Sequence, residues 1–134
     1  MTPLRNAFRV LLVLWAGSLW SLAAWVAWTL FNLQPDRHLA GILAARLFSI
    51  ETYLGIAVAV IALILPGRSK FGWVYCAAAL LAVNEWLLKR LMGTAHARGT
   101  LYGLTFGAWH GVSAVIYVMA CLAVLLFVWK QDFR

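Results

Sequence analysis

Three ionisable side chains lie well inside long apolar stretches of this 134-residue chain, Glu51, Glu85 and His110, whereas Arg46 and Lys89 are shallower. An ionisable group within a membrane-spanning segment is a candidate functional residue by default, because hydrocarbon solvates a charge poorly. A carboxylate can exchange a proton or bind a cation, and a histidine can transfer a proton or ligate a metal. These three residues are therefore the first candidates for any chemistry that the protein performs.

Their depths follow from the helix rise of about 1.5 Å per residue. Glu51 lies ~16 Å below the start of its apolar run, and Glu85 and His110 each lie ~8–9 Å from the nearest end of theirs. All three depths are counted from the same side of the membrane. At 100° per residue, each also shares a face with small residues that allow close helix contact. We therefore predict one polar cluster in the outer half of the bilayer, with supporting groups at Arg46, Asn84, Ser113 and Tyr117.

Each of these residues also has a purely structural interpretation. Glu85 and Lys89 have the i,i+4 spacing of a helical ion pair, in the favourable order. Glu51 can be an uncharged carboxyl group that is hydrogen-bonded to another helix, and His110 can be a neutral packing residue. The cluster is thus predicted to be either structural or part of a pathway for a small solute or ion.

Metal and cofactor chemistry has weak support in the sequence. A structural zinc site needs four ligands, whereas only Glu51, Glu85 and His110 could gather here, without a compact spacing motif. Cys76 and Cys121 lie within apolar runs and have no metal-binding spacing. The chain has no phosphate-binding loop, nucleophile triad or CxxC motif, so a non-enzymatic role is the leading interpretation. No cofactor is predicted; the alternative is a haem- or metal-binding redox protein that uses His110.

Four apolar runs must position these side chains, at residues 7–31, 40–65, 72–91 and 105–129. A hydrocarbon core of about 30 Å needs about 20 apolar residues in a helix. So small a soluble domain could not bury four helices on all sides, and the chain is 65% hydrophobic. Short connections make consecutive helices antiparallel. The sequence therefore predicts a single-domain, all-α membrane protein: an antiparallel four-helix transmembrane bundle in the lipid bilayer.

The net charge of +7 does not indicate a nucleic-acid partner, because the cations lie at span ends and in short loops. Six lysine and arginine residues lie on the side of the two termini, against four or five on the other side. By the positive-inside rule this excess predicts that both termini are cytoplasmic. The six are Arg5, Arg9, Arg68, Lys70, Lys130 and Arg134.

Small residues are more numerous than the contacts within one bundle require, and this excess predicts a homo-oligomer. The second span contributes Gly41, Ala44, Ala45, Gly55 and Ala59, and the fourth Gly103, Gly107, Gly111 and Ala114. The first span carries a polar stripe at helical spacing, which includes Ser18, Ser21, Trp25, Thr29 and Asn32.

Four segments resemble the transmembrane protein 205-like family, a domain of unknown function: Leu14–Trp20, His38–Gly55, Asn84–Trp86 and Phe106–Tyr117. The resemblance implies a four-span integral membrane protein, which in bacteria is a small inner-membrane protein. Family members often carry a proline shortly after the acidic motif of the third span, where this chain has Lys89 and Arg90. The matching signature positions are Gly17, Ala40, Gly41, Arg46, Phe48, Glu51, Asn84, Glu85, His110 and Ser113.

Overall fold

The computed structural model describes residues 3–130 and is almost entirely helical. The helices are α1 (Pro3–Ser21), α2 (Ala27–Leu33), α3 (Arg37–Ile64), α4 (Gly72–Ala82), α5 (Lys89–Arg98) and α6 (Phe106–Lys130). A π-helical segment at Leu22–Val26 joins α1 to α2, and a second at Val83–Leu88 joins α4 to α5. A 3₁₀ turn at Arg68–Phe71 precedes α4, and a hairpin of β1 (Thr100–Leu101) and β2 (Leu104–Thr105) precedes α6.

Because the π segments continue the helices they join, the described residues form four spans long and apolar enough to cross a membrane. They are Pro3–Leu33, Arg37–Ile64, Arg68–Arg98 and Gly107–Lys130. Each span packs against its neighbours in sequence, and the first also packs against the fourth. This arrangement confirms the all-α fold and the four-helix transmembrane bundle.

Local sequence accounts for the ends of the second span. The Asp36 side chain caps α3, where its Oδ1 accepts hydrogen bonds from the backbone N–H groups of His38 (3.0 Å) and Leu39 (3.2 Å). The helix ends before Pro66, since a residue that precedes proline favours extended backbone, and Leu65 has a ψ of 148°. Gly67 then takes a φ of 81°, which turns the chain toward α4.

The third span is longer than its apolar run. The apolar pattern predicts that the third span ends at residue 91 and that residues 92–104 connect it to the fourth span, whereas the helix continues to Arg98. Residues 91–98 contain leucine, methionine, alanine and arginine and no proline, so helix propensity continues after the apolar pattern stops. Gly99 ends the helix with a φ of 84°. Tyr102 and Gly103 both have positive φ, as a two-residue type I′ hairpin turn requires.

The apolar core is one cluster to which all four spans contribute. Its largest fully buried members are Leu19, Val58, Val74, Leu81, Cys121 and Val124. The outer surface is also apolar, and large side chains such as Trp28, Leu33, Ile64 and Trp129 are mostly exposed. An apolar exterior around an apolar core is the pattern of a helical bundle with lipid as its solvent.

Candidate functional site

Glu51 lies in a closed contact between the first and second spans. Its side chain is only 5% exposed, and its Oε1 accepts a hydrogen bond from the hydroxyl of Ser18 on α1. The other carboxyl oxygen, Oε2, is buried without a hydrogen-bond partner, and so is the indole Nε1 of Trp15. Buried polar atoms are nearly always paired in proteins, so two unpaired ones at the same helix contact are unusual.

Gly55, one helical turn after Glu51, explains why this contact is closed. A Cβ atom added at Gly55 would lie 2.7 Å from Cζ2 of Trp15 and 3.2 Å from Cδ1 of Leu81. Only a glycine therefore lets the Trp15 ring lie directly against α3. The packing of Trp15 on Gly55 lies about one helical turn from the hydrogen bond between Ser18 and Glu51, and we call these four residues the closed contact: Trp15, Ser18, Glu51 and Gly55.

Glu85 is held differently, between the second and third spans. Its Oε2 lies 2.7 Å from Nζ of Lys89, which confirms that the i,i+4 spacing forms an ion pair. The hydroxyl of Ser49 donates to Glu85 Oε1 at 2.8 Å, and Lys89 Nζ donates to Ser49 Oγ at 2.7 Å. Each of the three side chains thus contacts the other two. An anion, a cation and a hydroxyl group satisfy one another across two helices.

These three side chains line a cavity of about 420 Å³ that opens outward between α3 and the third span. The formal charges of its lining residues sum to +1, from Arg46 and Lys89 against Glu85. Arg46 and Tyr53 are exposed, and the Tyr53 ring meets that of Trp86 edge to face, with centroids 6.2 Å apart. We call this the open groove; its lining residues are Ile42, Ala45, Arg46, Ser49, Tyr53, Glu85 and Lys89.

The second π segment contains two adjacent residues that contact different spans. Glu85 faces Ser49 on α3, while the Oδ1 atom of Asn84 accepts a hydrogen bond from the Ser113 hydroxyl on α6. The i→i+5 hydrogen bonds of a π-helix change the direction of side chains relative to an α-helix. The third span therefore forms polar contacts with both neighbouring spans at one level of the bundle. The sequence contains no proline or other signal there that would have predicted the π segment.

Tyr117 joins the fourth span to the first. Its hydroxyl donates to the backbone carbonyl of Leu19 at 2.9 Å, and its ring meets that of Phe48 edge to face at 4.7 Å. Nearby, Nε1 of Trp20 donates to the Cys121 carbonyl at 3.2 Å. Buried backbone carbonyls therefore supply the partners for the polar atoms at this helix contact.

The predicted site residues thus occupy different helix contacts. Arg46 and Glu85 share the open groove, Asn84 pairs with Ser113, and Glu51 and Tyr117 each contact the first span. His110 is exposed on α6 and makes a contact of its own. Its convergence with both glutamates stays a prediction.

Trp15, Ser18 and Ser49 are among the contributors to these sites that were not predicted site residues. Ser18 belongs to the polar stripe that the sequence shows in the first span. In the sequence, nothing distinguishes Trp15 from the other apolar residues of its span. Ser49 could have been noticed because it lies four residues before Tyr53 and three after Arg46, on one face of the helix.

Metal ligands do not gather in the described part of the chain. Within residues 3–130, no three side chains of histidine, cysteine, aspartate or glutamate lie close enough to hold a metal ion. Cys76 is exposed and Cys121 is buried.

Residues 10–99 match the family described as Domain of unknown function (DUF4149). This match spans 90 of the 134 residues. The chain belongs to the DUF4149 family. No curated protein and no solved structure matches it. The matched region of this DUF4149 protein includes the closed contact and the open groove, whereas His110, Ser113 and Tyr117 lie beyond it. With its four apolar spans, the chain is an integral membrane protein of unknown activity.

Proposed function

We propose that this DUF4149 protein binds a small anion in the open groove. The observation that carries the proposal is the positive charge of the lining residues: Lys89 is paired with the single carboxylate, that of Glu85, and Arg46 is a second, exposed cation. The Ser49 hydroxyl is engaged by Glu85 and Lys89, so an anion would bind beside Arg46, where Ile42 and Ala45 supply an apolar wall. A cavity with mainly apolar walls and a few polar groups is typical of a small-solute site. Such binding would be the first step of a small-solute or ion pathway.

The open groove contains charged side chains, so we infer that its mouth faces water rather than acyl chains. Charged side chains in the hydrocarbon region face water or protein, since acyl chains offer no hydrogen-bond partners. A separate surface supports association of several copies. Gly107 and Gly111 are exposed on α6 with the i,i+4 spacing of a membrane-helix dimerisation motif, and an added Cβ at Gly111 would meet nothing within 4 Å. We therefore propose a homo-oligomer that forms through this face of α6.

The anion site is tested by thermal unfolding of the purified protein in mild detergent, because a ligand that binds only the folded state raises the Tm. The probes are chloride, acetate and phosphate, each compared at equal ionic strength with a sulfonate too bulky for the groove. At least one probe should raise the Tm of the wild type, and Arg46→Gln should abolish the rise. The control is Arg90→Gln, which removes a cation outside the groove and should keep the rise. No rise with any probe would contradict the proposal.

The oligomer is tested by mass measurement in detergent. Replacing Gly107 and Gly111 together by leucine should shift the protein to monomer, because the larger side chains separate the two backbones. Gly17→Leu is the matched control, since Gly17 is also exposed and an added Cβ there would meet nothing within 4 Å. A wild type that is monomeric at all concentrations would contradict the oligomer.

Location, relatives and cofactors complete the proposal. We place the protein in a bacterial inner membrane with both termini cytoplasmic, as the Lys/Arg distribution favours. Reporter fusions at Lys130 and Asp36 should report opposite compartments, with Lys130 inside.

The sequence motifs further support a relationship to the transmembrane protein 205-like family. The alternative function, a redox role with haem or metal on His110, predicts a coloured or metal-containing protein; we expect a colourless one by absorbance and elemental analysis.

A further inference from the structure

A second cavity lies at the end of the bundle where the described chain begins and ends. Its volume is about 630 Å³, and it is bounded by the start of α1, the turn between the second and third spans, and the end of α6. Three aromatic rings form its inner wall. Phe71 lies 5.3 Å from Phe8 and 5.6 Å from Phe127 between ring centroids, and Phe8 and Phe127 are almost fully buried. The inner part of this cleft is therefore apolar and tightly packed.

The outer part of the cleft is cationic. Arg5 and Arg9 line it from α1, and Lys70 lines it from the turn. None of the three acidic residues within residues 3–130 lines it. An apolar interior below a rim of positive charge, at the end of a membrane span, is complementary to an amphiphile with an anionic headgroup.

The turn that carries Lys70 is held in place. Gly67 has a φ of 81°, and its carbonyl accepts a hydrogen bond from the Lys70 backbone N–H at 2.9 Å. One residue further, the Arg68 carbonyl accepts a hydrogen bond from the Tyr75 hydroxyl at 3.0 Å. The Lys70 backbone thus has a fixed position relative to α4, and binding does not have to order the turn first.

The geometry points to a binding site for an anionic phospholipid in this cleft. The lipid phosphate would lie between Arg5 and Lys70, and the first part of one acyl chain would lie against the apolar lining residues Leu4, Val13 and Phe71. A free phosphate ion would use only the cationic rim and leave the apolar wall uncovered. A zwitterionic lipid would use the wall but would lose the net attraction to the rim. The structure therefore favours a ligand that has both parts.

Native mass spectrometry of the purified protein in mild detergent tests this site. The probes are phosphatidylglycerol and phosphatidylcholine with identical acyl chains, and inorganic phosphate as a competitor. The wild type should retain phosphatidylglycerol about tenfold better than phosphatidylcholine, and excess phosphate should not displace it. Equal retention of the two lipids would overturn the inference. Displacement by phosphate would overturn it in favour of a free-anion site.

Variants separate the cleft from general surface charge. Arg5→Gln combined with Lys70→Gln should remove most of the preference for phosphatidylglycerol. Arg68→Gln is the matched control, because it removes a cation from the same turn without changing the lining of the cleft, and it should retain the preference. If the double variant fails to fold, Arg5→Gln and Lys70→Gln are each measured alone. A preference unchanged by removal of the lining cations would contradict the site.

Discussion

The two intramembrane glutamates are each hydrogen-bonded to a serine of another span, and yet their surroundings differ. Within the described residues, the serine bonds one carboxyl oxygen of Glu51, the other oxygen is buried and unpaired, and the Trp15 ring packs against Gly55 one turn away. At Glu85, the serine shares the carboxylate with Lys89, and all three groups line a groove that opens outward. The closed contact has no cation, whereas the open groove has two.

This difference shows how neighbouring helices decide what a carboxyl group can do. Gly55 permits an aromatic ring to lie against α3 one turn from Glu51, and such close contact favours packing over access. Glu85 lies in the π segment and bonds to Ser49, while the adjacent Asn84 pairs with the fourth span. We infer that the closed contact stabilises the bundle and that the open groove is where a solute can enter.

The largest effect on stability is expected at Gly55. Gly55→Ala should lower the free energy of unfolding by about 2–3 kcal/mol, because the new methyl group would overlap a buried, rigid indole ring. Unfolding in detergent, followed by circular dichroism, measures the change. Gly41→Ala is the control on the same helix. An added Cβ at Gly41 would meet nothing within 4 Å, so this variant should be neutral or up to about 1 kcal/mol more stable. Equal effects of the two substitutions would show that the contact is not closed.

The next largest effect on stability is expected at Glu51. Glu51→Leu should destabilise the bundle by about 1 kcal/mol, because the Ser18 hydroxyl loses its acceptor. Glu51→Gln keeps an acceptor oxygen of nearly the same shape and should change the stability by less than about 0.5 kcal/mol. The comparison of these two variants by the same unfolding assay separates hydrogen bonding from charge. If Glu51→Gln is as damaging as Glu51→Leu, the carboxyl group has a role beyond accepting a hydrogen bond.

The smallest stability effect is expected in the open groove. Lys89→Met should cost only about 0.5 kcal/mol, because an i,i+4 ion pair on a partly exposed surface contributes little and Glu85 keeps its bond from Ser49. Arg90→Met, one residue further and exposed, serves as the control for removing a cation from this helix. If Lys89→Met lowered the free energy of unfolding more than Glu51→Leu does, the proposed roles of the two sites would be reversed.

Hydropathy and local spacing predicted the spans and the Glu85–Lys89 pair, because both depend on residues close together in one helix. The partner of Glu51 could not be predicted in the same way. Helical periodicity gives the face on which a side chain lies, but the rotation of each helix against its neighbours depends on packing such as that of Trp15 on Gly55. Tyr117 shows the same limit, since it shares a face with Ser113 but bonds to the first span.

The central claim is that the two serines face different environments, and cysteine labelling tests it most directly. Ser18→Cys and Ser49→Cys are prepared separately in a chain whose Cys76 and Cys121 are replaced by alanine, and both are treated in membranes with a small, water-soluble maleimide. A thiol reacts as the thiolate, which requires access to water. The account predicts fast labelling of Ser49→Cys and protection of Ser18→Cys until the protein is unfolded. Equal labelling of both, or faster labelling of Ser18→Cys, would contradict it.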